Sequence, residues 1–385
     1  MPNGGSSVVA RVDRLPGLIA RLVERHVSES LLFSPFKLGR IQLKNRVVMS
    51  PMTRNRSGGN VPDELVATYY SQRSEAGLIV TEGTSPSPNG LGYARIPGVY
   101  SQAQAEGWKK VTTAVHGAGG HIFVQLMHTG RVTHPANLPA GARVLGPSSI
   151  ATPGQMYTDS AGLQDFPVPE EMTETDIERA ISEYAAAADL AVNAGFDGVE
   201  LHGANGYLLE QFLNVASNQR RDRWGGTVEN RLRFAIEVVK RVATAIGPDR
   251  IGMRISPYGV FNGSTTDPET DALYLQLAER LSALGMVYLH LVDHSSMGAP
   301  KPPEALYRKI RSTFRGALIL SGGYDRVRAN EDLAAGHCDL VAFGRPFISN
   351  PRLVTKLQAA ASLRDPDANT FYTPGEKGYT DYPLD

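Results

Sequence analysis

The sequence has a single cysteine, Cys338, among its 385 residues. One cysteine cannot form an internal disulfide and has no sulfur partner for a structural zinc site. This scarcity is typical of chains that fold in a reducing compartment, so we expect a cytoplasmic location.

The chain also lacks an excess of either charge and lacks long apolar runs. Its 39 basic and 39 acidic side chains cancel, without the basic surplus of nucleic-acid-binding proteins, so nucleic acid is not an expected partner. No apolar run reaches the roughly 18 residues of a membrane-spanning helix, and we expect no integral membrane segment. The 42% of apolar residues suffices for one large core.

Residues 11–27 carry apolar side chains at helical spacing, with arginines at the other positions. The pattern predicts a short basic amphipathic helix, either a targeting or membrane-surface peptide or a dispensable extension. Asp13 and Glu24 weaken the first interpretation, and Pro16 shortens the helix. We expect an N-terminal extension over residues 1–30 and one domain over residues 31–385.

From residue 47 onward, short apolar runs alternate eight times with longer helical patterns. This alternation predicts parallel strands joined by crossover helices, and eight repeats favour closure into an α/β barrel, the (β/α)8 or TIM-barrel fold. The predicted strands are residues 47–52, 78–84, 121–128, 198–203, 251–257, 287–292, 317–322 and 340–345. Chemistry in such barrels lies on the loops that follow the strands.

Two segments depart from the alternation. Residues 33–45 predict an N-terminal hairpin that closes the bottom of the barrel. Residues 130–170, after the third strand, form a long Pro/Gly-rich excursion, which predicts a lid or rim over the active face. The clearest helix follows, with Thr173 and Asp176 as a capping box and Gly195 as its stop.

The fourth predicted strand ends in three hydrogen-bonding side chains, His202, Asn205 and Tyr207. If the N–H groups of His202 and Asn205 converge, they can stabilise negative charge on a substrate oxygen while Tyr207 offers a proton. Alone, each has a structural interpretation as a loop bridge, an Asx turn or a rim contact; together they favour catalysis. No ligand-spaced partner accompanies His202, so we expect no metal site.

The last two predicted strands end in SGGY at residues 321–324 and FGRP at residues 343–346. The backbone N–H groups of Gly323 and Gly344, with the guanidinium of Arg345, predict a phosphate site where barrels often have one. The alternative is a tight turn with Arg345 in a structural ion pair.

Gln125 and Arg254 interrupt two otherwise apolar strands. A flat heterocycle would satisfy both, with Gln125 exchanging amide hydrogen bonds and Arg254 neutralising charge on the reduced ring. An internal salt bridge is the alternative for Arg254. Thr53, after the first strand, is placed to hydrogen-bond the same ring, although such a threonine is more often a cap or turn residue.

Taken together, these motifs resemble the old yellow enzyme family across residues 31–385. The motifs are LKNR at 43–46, MSPMT at 49–53, HGANGY at 202–207 and FGR at 343–345. The resemblance implies an FMN-binding barrel in which NADH or NADPH reduces the flavin, and the flavin passes a hydride to an activated alkene, an α,β-unsaturated carbonyl compound or a nitroalkene.

The resemblance also implies roles for individual residues. His202 and Asn205 would hold the substrate carbonyl, and Tyr207 would protonate the α-carbon. Around the cofactor and pocket it implies ring contacts from Pro51, Met52, Thr53, Gly83, Gln125 and Arg254, phosphate contacts from Gly323, Tyr324, Gly344 and Arg345, and pocket walls from Tyr93 and Tyr372. Thr53 points to the Thr-containing branch of the family.

Some positions differ from the family pattern. Many relatives carry Trp at the position of Met127 and Asn at that of Tyr324, and the rim segment at residues 290–297 is unusual. Two other functions stay open at this point, a flavin-free barrel isomerase or aldolase acting on a phosphorylated substrate, and a non-catalytic flavin or ligand carrier. We expect a monomer or homodimer.

Overall fold

Eight parallel strands close into a barrel in the computed structural model, which describes residues 30–385. The strands are β1 (Phe36–Leu38), β2 (Ile41–Leu43), β3 (Val47–Met49), β4 (Leu78–Thr84), β5 (Ile122–Leu126), β6 (Leu145–Gly146), β7 (Gln155–Thr158), β8 (Gly162–Asp165), β9 (Glu170–Glu171), β10 (Gly198–Gly203), β11 (Ile251–Ile255), β12 (Tyr288–Val292), β13 (Ala317–Ser321) and β14 (Leu340–Phe343). Strands β3, β4, β5 and β10 to β14 form the barrel, which confirms the predicted TIM fold. The predicted amphipathic helix at residues 11–27 lies outside the described residues.

Helices connect the barrel strands on the outside. They are α1 (Glu64–Ser71), α2 (Gln102–Gly117), α3 (Glu174–Asn193), α4 (Leu208–Leu213), α5 (Val228–Ile246), α6 (Thr270–Ala283), α7 (Glu304–Thr313), α8 (Arg326–Ala334), α9 (Arg345–Ser349) and α10 (Leu353–Gln358). Helix α3 begins with the predicted capping box of Thr173 and Asp176, and Gly195 lies just beyond its end with φ +98°. No helix within residues 30–385 has both the length and the apolarity needed to cross a bilayer.

Several predicted strands extended too far at their carboxyl ends. The strand predicted at 47–52 ends at Met49, and those predicted at 251–257 and 340–345 end at Ile255 and Phe343. Pro51 has no N–H for the ladder, and Gly344 leaves the extended conformation immediately before α9. The strand predicted at 121–128 covers Ile122–Leu126 only, whereas those at 78–84 and 198–203 have the predicted bounds.

The predicted N-terminal hairpin is present and closes one end of the barrel. Strands β1 and β2 pair antiparallel, with Phe36 opposite Leu43. Gly39 makes the turn at φ +55°, where a Cβ would lie 2.6 Å from the carbonyl oxygen of Asp249. Leu38 and Leu43 are buried against apolar residues at the starts of the barrel strands, including Val48 and Leu78.

The excursion after β5 contains two small sheets rather than an irregular loop. Strands β6 and β9 pair in parallel, and β7 and β8 form an antiparallel hairpin. The β7–β8 hairpin reaches a cavity at the carboxyl ends of the barrel strands, so the excursion forms a rim, as predicted.

Candidate active site

Polar side chains collect inside the barrel near the carboxyl ends of its strands. Cross-strand register places Gln125 beside Glu200, and His202 beside Arg254 and then His290. Alternate residues of a strand face the same side, so Glu200 and His202 share the inner face of β10. All five side chains are at most 8% exposed, and they form a polar layer above an apolar barrel floor.

Glu200 is the centre of this layer. Its Oε1 accepts a hydrogen bond from Gln125 Nε2 at 2.7 Å, and its Oε2 accepts one from the Tyr288 hydroxyl at 3.0 Å and lies 2.9 Å from His290 Nδ1. Burial raises the pKa of this carboxyl, but His290 and Arg254 outweigh burial and hold it below its usual range. The bond to Glu200 uses the Gln125 amide nitrogen and leaves the amide oxygen for another partner.

Arg254 does not form the internal salt bridge that the sequence left open. Its Nε is buried and has no hydrogen-bond partner within the described part of the chain. Burial lowers the pKa of Arg254, and the negative charge of Glu200 opposes that shift. An unpartnered buried guanidinium nitrogen is costly, so it indicates a ligand contact at this position.

His202 is neutral in this environment. Burial, followed by the positive charges of neighbouring groups, lowers the pKa of His202 well below 6.5. The backbone N–H of Ala204 donates to His202 Nδ1 at 3.3 Å, which leaves the ring proton on Nε2 as a donor. The His202 ring meets the Tyr207 ring edge-to-face, with centroids 4.8 Å apart.

Asn205 and Tyr207 follow on the turn after β10. Asn205 has φ +61°, and its side-chain Oδ1 is buried without a hydrogen-bond partner among residues 30–385. The Tyr207 and Tyr93 hydroxyl oxygens are 2.8 Å apart. Burial, and then Tyr93, raises the pKa of Tyr207 well above 10, so the phenol is protonated at neutral pH. The structure thus brings His202, Tyr207 and Tyr93 into contact, with Asn205 on the turn between His202 and Tyr207.

A cavity of about 660 Å³ opens onto this group. It lies between the barrel, the β7–β8 hairpin and the C-terminal segment, defined as residues 368–379. Its lining includes Thr53, Tyr93, Arg95, Met156, Tyr157, Leu163, Tyr207 and Tyr372. Tyr157, Leu163 and Tyr372 are more than half exposed, which gives the cavity an apolar outer wall.

Three buried arginines hold the C-terminal segment that carries Tyr372. Arg54 donates to the carbonyl oxygens of Phe371 and Gly378, and Arg56 donates to that of Thr370. Arg73 donates to the carbonyl oxygen of Tyr379. Its guanidinium lies over the Tyr69 ring, which stacks on the Tyr379 ring with centroids 4.0 Å apart. These contacts fix the path of the segment over the barrel.

The residues predicted to surround a flavin ring lie at the same end of the barrel. Pro51, Met52 and Thr53 follow β3, and a Cβ on Gly83 would lie 2.4 Å from Met127 Sδ, so Met127 fills the space beside that glycine. Glu82, fully buried, accepts the backbone N–H groups of Arg54 and Asn55 and thereby fixes the loop that carries Thr53. Burial raises the pKa of Glu82 to about 7.

The predicted phosphate turn has a conformation that only glycine adopts easily. Gly322 has φ +126°, where a Cβ would lie 2.2 Å from the Asp293 carbonyl oxygen, and Gly323 has φ +63° and is exposed. The Tyr324 hydroxyl donates to Asp332, so only its backbone remains for a ligand. Arg345 is exposed at the start of α9 and takes part in no ion pair within residues 30–385, contrary to the structural alternative.

Sequence reasoning missed three groups at this site. Glu200 was detectable, because it lies two residues before His202 on the same strand face. His290 required the register between β11 and β12. His294, in the rim segment, is 8% exposed, and its Nδ1 has no partner within the described residues. Burial, followed by the charge of Arg254, lowers the pKa of His294 to about 4.

The donor set fits FMN. The buried Arg254 Nε and the free amide oxygen of Gln125 suit the polar edge of a flavin ring, which combines carbonyl acceptors with an N–H donor. The glycine turn after β13 and Arg345 suit its phosphate. Neutral His202 and Asn205 would face the ring from the cavity side.

Comparisons with known proteins agree with this geometry. Residues 31–363 match the NADH:flavin oxidoreductase / NADH oxidase family. The chain is 38% identical to 12-oxophytodienoate reductase 7 of Oryza sativa subsp. japonica, over 94% of this chain and 96% of that protein. It is 39% identical to a probable flavin mononucleotide-dependent alkene reductase of Leishmania infantum, over 93% and 98%.

Solved structures give the same result. Morphinone reductase is 42% identical, with a TM-score of 0.88 over 91% of this chain and 96% of that chain. Another morphinone reductase structure, a complex with tetrahydroNAD, has a TM-score of 0.87 at the same identity, over 91% of this chain and 97% of that chain. The chain therefore belongs to the NADH:flavin oxidoreductase / NADH oxidase family, which is the old yellow enzyme family.

Proposed function

We propose that the protein is an FMN-dependent ene-reductase that uses NADH or NADPH to reduce an activated alkene, an α,β-unsaturated carbonyl compound or a nitroalkene. Family membership supports the flavin and the reaction class, and the names of the relatives support an alkene substrate. The observation that carries the proposal is the contact of the neutral His202 ring with the Tyr207 ring beside Asn205, whose buried Oδ1 has no partner among residues 30–385. Gln125 and Arg254 lie on the two strands that flank the strand of His202.

The cofactor-binding residues divide into two groups. When bound, FMN accepts a hydride from the reduced nicotinamide and supplies one to the β-carbon of the alkene. We assign Pro51, Met52, Thr53, Gly83, Gln125 and Arg254 to the ring, and Gly323, Tyr324, Gly344 and Arg345 to the phosphate. Arg254 offsets negative charge at the ring edge, and Glu200 orients the Gln125 amide.

His202 and Asn205 bind the oxygen of the substrate. A hydride that arrives at the β-carbon moves negative charge onto this oxygen, and fixed donors stabilise that charge more than they stabilise the neutral ketone. A neutral imidazole donates through Nε2–H without bringing a full charge into the buried site. Tyr207 completes the reaction by giving its proton to the α-carbon.

The cavity walls set the substrate shape. Tyr93 and Tyr372 both line the cavity. Tyr93 is hydrogen-bonded to Tyr207, and Tyr372 is part of the C-terminal segment. Met127 fills the space beside Gly83. We also propose, on the sequence alone, that the protein is a monomer or homodimer, belongs to the Thr-containing branch and is cytoplasmic. Its catalytic domain would span residues 31–385.

The visible spectrum of the purified protein tests the function. The protein is expected to be yellow, to bleach anaerobically with NADH or NADPH, and to recover its colour when an enone is added, with one saturated product formed per flavin. A colourless protein that does not bind added FMN contradicts the flavin. A flavoprotein that bleaches but does not reoxidise with enones or nitroalkenes contradicts the substrate class.

Tyr207→Phe tests the proton donor. The variant keeps the ring and loses the hydroxyl, so flavin reduction by nicotinamide is expected at the wild-type rate, whereas reoxidation by an enone slows about a hundredfold. Stopped-flow absorbance separates these two steps. Slower flavin reduction with unchanged reoxidation would contradict the assignment.

A further inference from the structure

The turn that carries Asn205 has two successive residues in the left-handed backbone region. Asn205 and Gly206 both have positive φ, at +61° and +75°. Glycine is required at the second position because a Cβ there would lie 2.7 Å from the Phe261 carbonyl oxygen. Asparagine tolerates the left-handed region better than most non-glycine residues, and the direction of the Asn205 carboxamide depends on that conformation.

Glu210, in α4, holds this turn through two hydrogen-bond routes. Its Oε2 accepts the backbone N–H of Gly206 at 2.5 Å. Its Oε1 accepts the Ser256 hydroxyl at 2.9 Å, and the same Ser256 oxygen accepts the backbone N–H of Asn205 at 3.0 Å. One carboxylate therefore fixes two successive peptide groups of the turn.

The surroundings of Glu210 argue against an ion-pair or proton-transfer role. The side chain is 1% exposed, and its remaining contact is the Tyr274 hydroxyl, which donates to Oε1 at 3.0 Å. Arg231, which lines the adjacent small cavity, forms ion pairs with Asp267 and Glu269. Glu210 faces that small cavity and does not line the large cavity next to Tyr207.

A buried carboxylate without a cation is costly to maintain. Burial raises the pKa of Glu210 to about 7, although Gly206, Ser256 and Tyr274 oppose the shift. A neutral residue of similar size would fill the same space without this cost. The carboxylate is distinguished from such a residue by its capacity to accept from several donors at once.

We infer that Glu210 is a positioning residue, which through Gly206 and Ser256 holds Asn205 in the conformation that directs its carboxamide at the substrate oxygen. The inference rests on the proposed role of Asn205. Glu210 itself touches neither substrate nor cofactor. Its effect on the reaction is transmitted by the turn alone.

A matched pair of variants tests the inference without removing the carboxylate. Ser256→Ala and Tyr274→Phe each delete one hydroxyl that donates to Glu210 Oε1. Only the Ser256 hydroxyl also accepts the backbone N–H of Asn205. In dithionite-reduced holoenzyme, we expect Ser256→Ala to slow reoxidation by an enone about tenfold, and Tyr274→Phe to change it less than about twofold. Equal effects of the two variants would overturn the inference.

A double-mutant cycle then asks whether Glu210 acts through Asn205. Asn205→Gly removes the carboxamide, and glycine adopts the same φ without strain. Glu210→Gln is expected to slow reoxidation in the wild-type background and to cause no further loss in the Asn205→Gly background. Multiplicative losses would show that Glu210 acts independently, and they would overturn the inference.

The same measurements separate this inference from the proposed function. If Asn205→Gly reoxidises at the wild-type rate, the proposed role of Asn205 is wrong, and the inference about Glu210 is wrong as well. If Asn205→Gly is slow but Ser256→Ala and Glu210→Gln are not, only the role of Glu210 is wrong. FMN content and melting temperature, measured for every variant, exclude misfolded samples from the comparison.

Discussion

The two ends of the barrel are built for different purposes. At the amino ends of the strands, the β1–β2 hairpin covers an apolar floor in which Leu38 and Leu43 are at most 1% exposed. At the carboxyl ends, Arg254 and Asn205 have buried polar atoms without a partner among residues 30–385, and Tyr93 and Tyr207 line a cavity of about 660 Å³. The amino end is covered by the hairpin, whereas the carboxyl end combines His202, Arg254 and Tyr207 with a large cavity. The carboxyl end is the expected location of chemistry in this fold.

The sharpest test of this contrast removes a donor from the open end. His202→Ala deletes the Nε2–H that we assign to the substrate oxygen, so alkene turnover is expected to fall by about a hundredfold to a thousandfold, or about 3 to 4 kcal/mol in transition-state stabilisation. Steady-state kinetics with a cyclic enone provide the measurement. Bound FMN and melting temperature are expected to stay near wild type, and undiminished turnover would refute the role of His202.

The matching change at the closed end should affect stability alone. Leu43→Ala leaves a cavity between the hairpin and the barrel floor, and we expect a loss of about 3 kcal/mol in the free energy of unfolding. Denaturant titration measures that loss. Turnover per bound flavin is expected to be unchanged, and a specific loss of activity would mean that the two ends are coupled.

A pH titration sharpens the contrast further, because the open end contains fully buried carboxyls. The pKa of Glu82 is about 7 in the folded protein and 4.5 for the free group, so the protonated form favours folding. Its stabilising contribution is complete below pH 4.5 and is lost as pH rises through 7, a change of about 3 kcal/mol. Glu82→Gln is expected to remove this part of the pH dependence of the free energy of unfolding. Identical pH profiles for the wild type and the variant would contradict the raised pKa of Glu82.

The smallest effect is expected at the outer wall of the cavity. Tyr372 is 58% exposed, so Tyr372→Ala removes partial contact with the substrate but no group that acts on the reacting atoms. We expect KM for a bulky enone to rise about threefold, or less than about 1 kcal/mol, with kcat unchanged. A large fall in kcat would instead place Tyr372 in the chemistry.

Sequence alone predicted the barrel because each strand has a local apolar pattern. The predicted bounds were wrong mainly where loop residues such as Pro51 follow a strand directly and were assigned to it. The cluster of His202, Asn205 and Tyr207 was also local. Glu200 was detectable from its position two residues before His202 on the same strand face. His290 was missed because its meeting with Glu200 depends on register across β10, β11 and β12. A contact between residues far apart in the sequence produces no spacing pattern that a single sequence could show.

The clamp on the C-terminal segment was unpredictable for another reason. Arg54, Arg56 and Arg73 donate to backbone carbonyls of that segment, and any residue type supplies a carbonyl. No sequence signal therefore marks the acceptors. The position of Tyr372 depends on this clamp, so its place in the cavity was reached from the family resemblance and not from the residues.

A crystal structure of the FMN-loaded protein tests the central claim most directly. We predict that the flavin ring lies across the carboxyl ends of the strands, with Arg254 Nε and the Gln125 amide oxygen bonded to its polar edge and with His202 and Asn205 facing it from the cavity. A flavin bound elsewhere, or Arg254 and Gln125 bonded to each other beneath an empty site, would contradict the account.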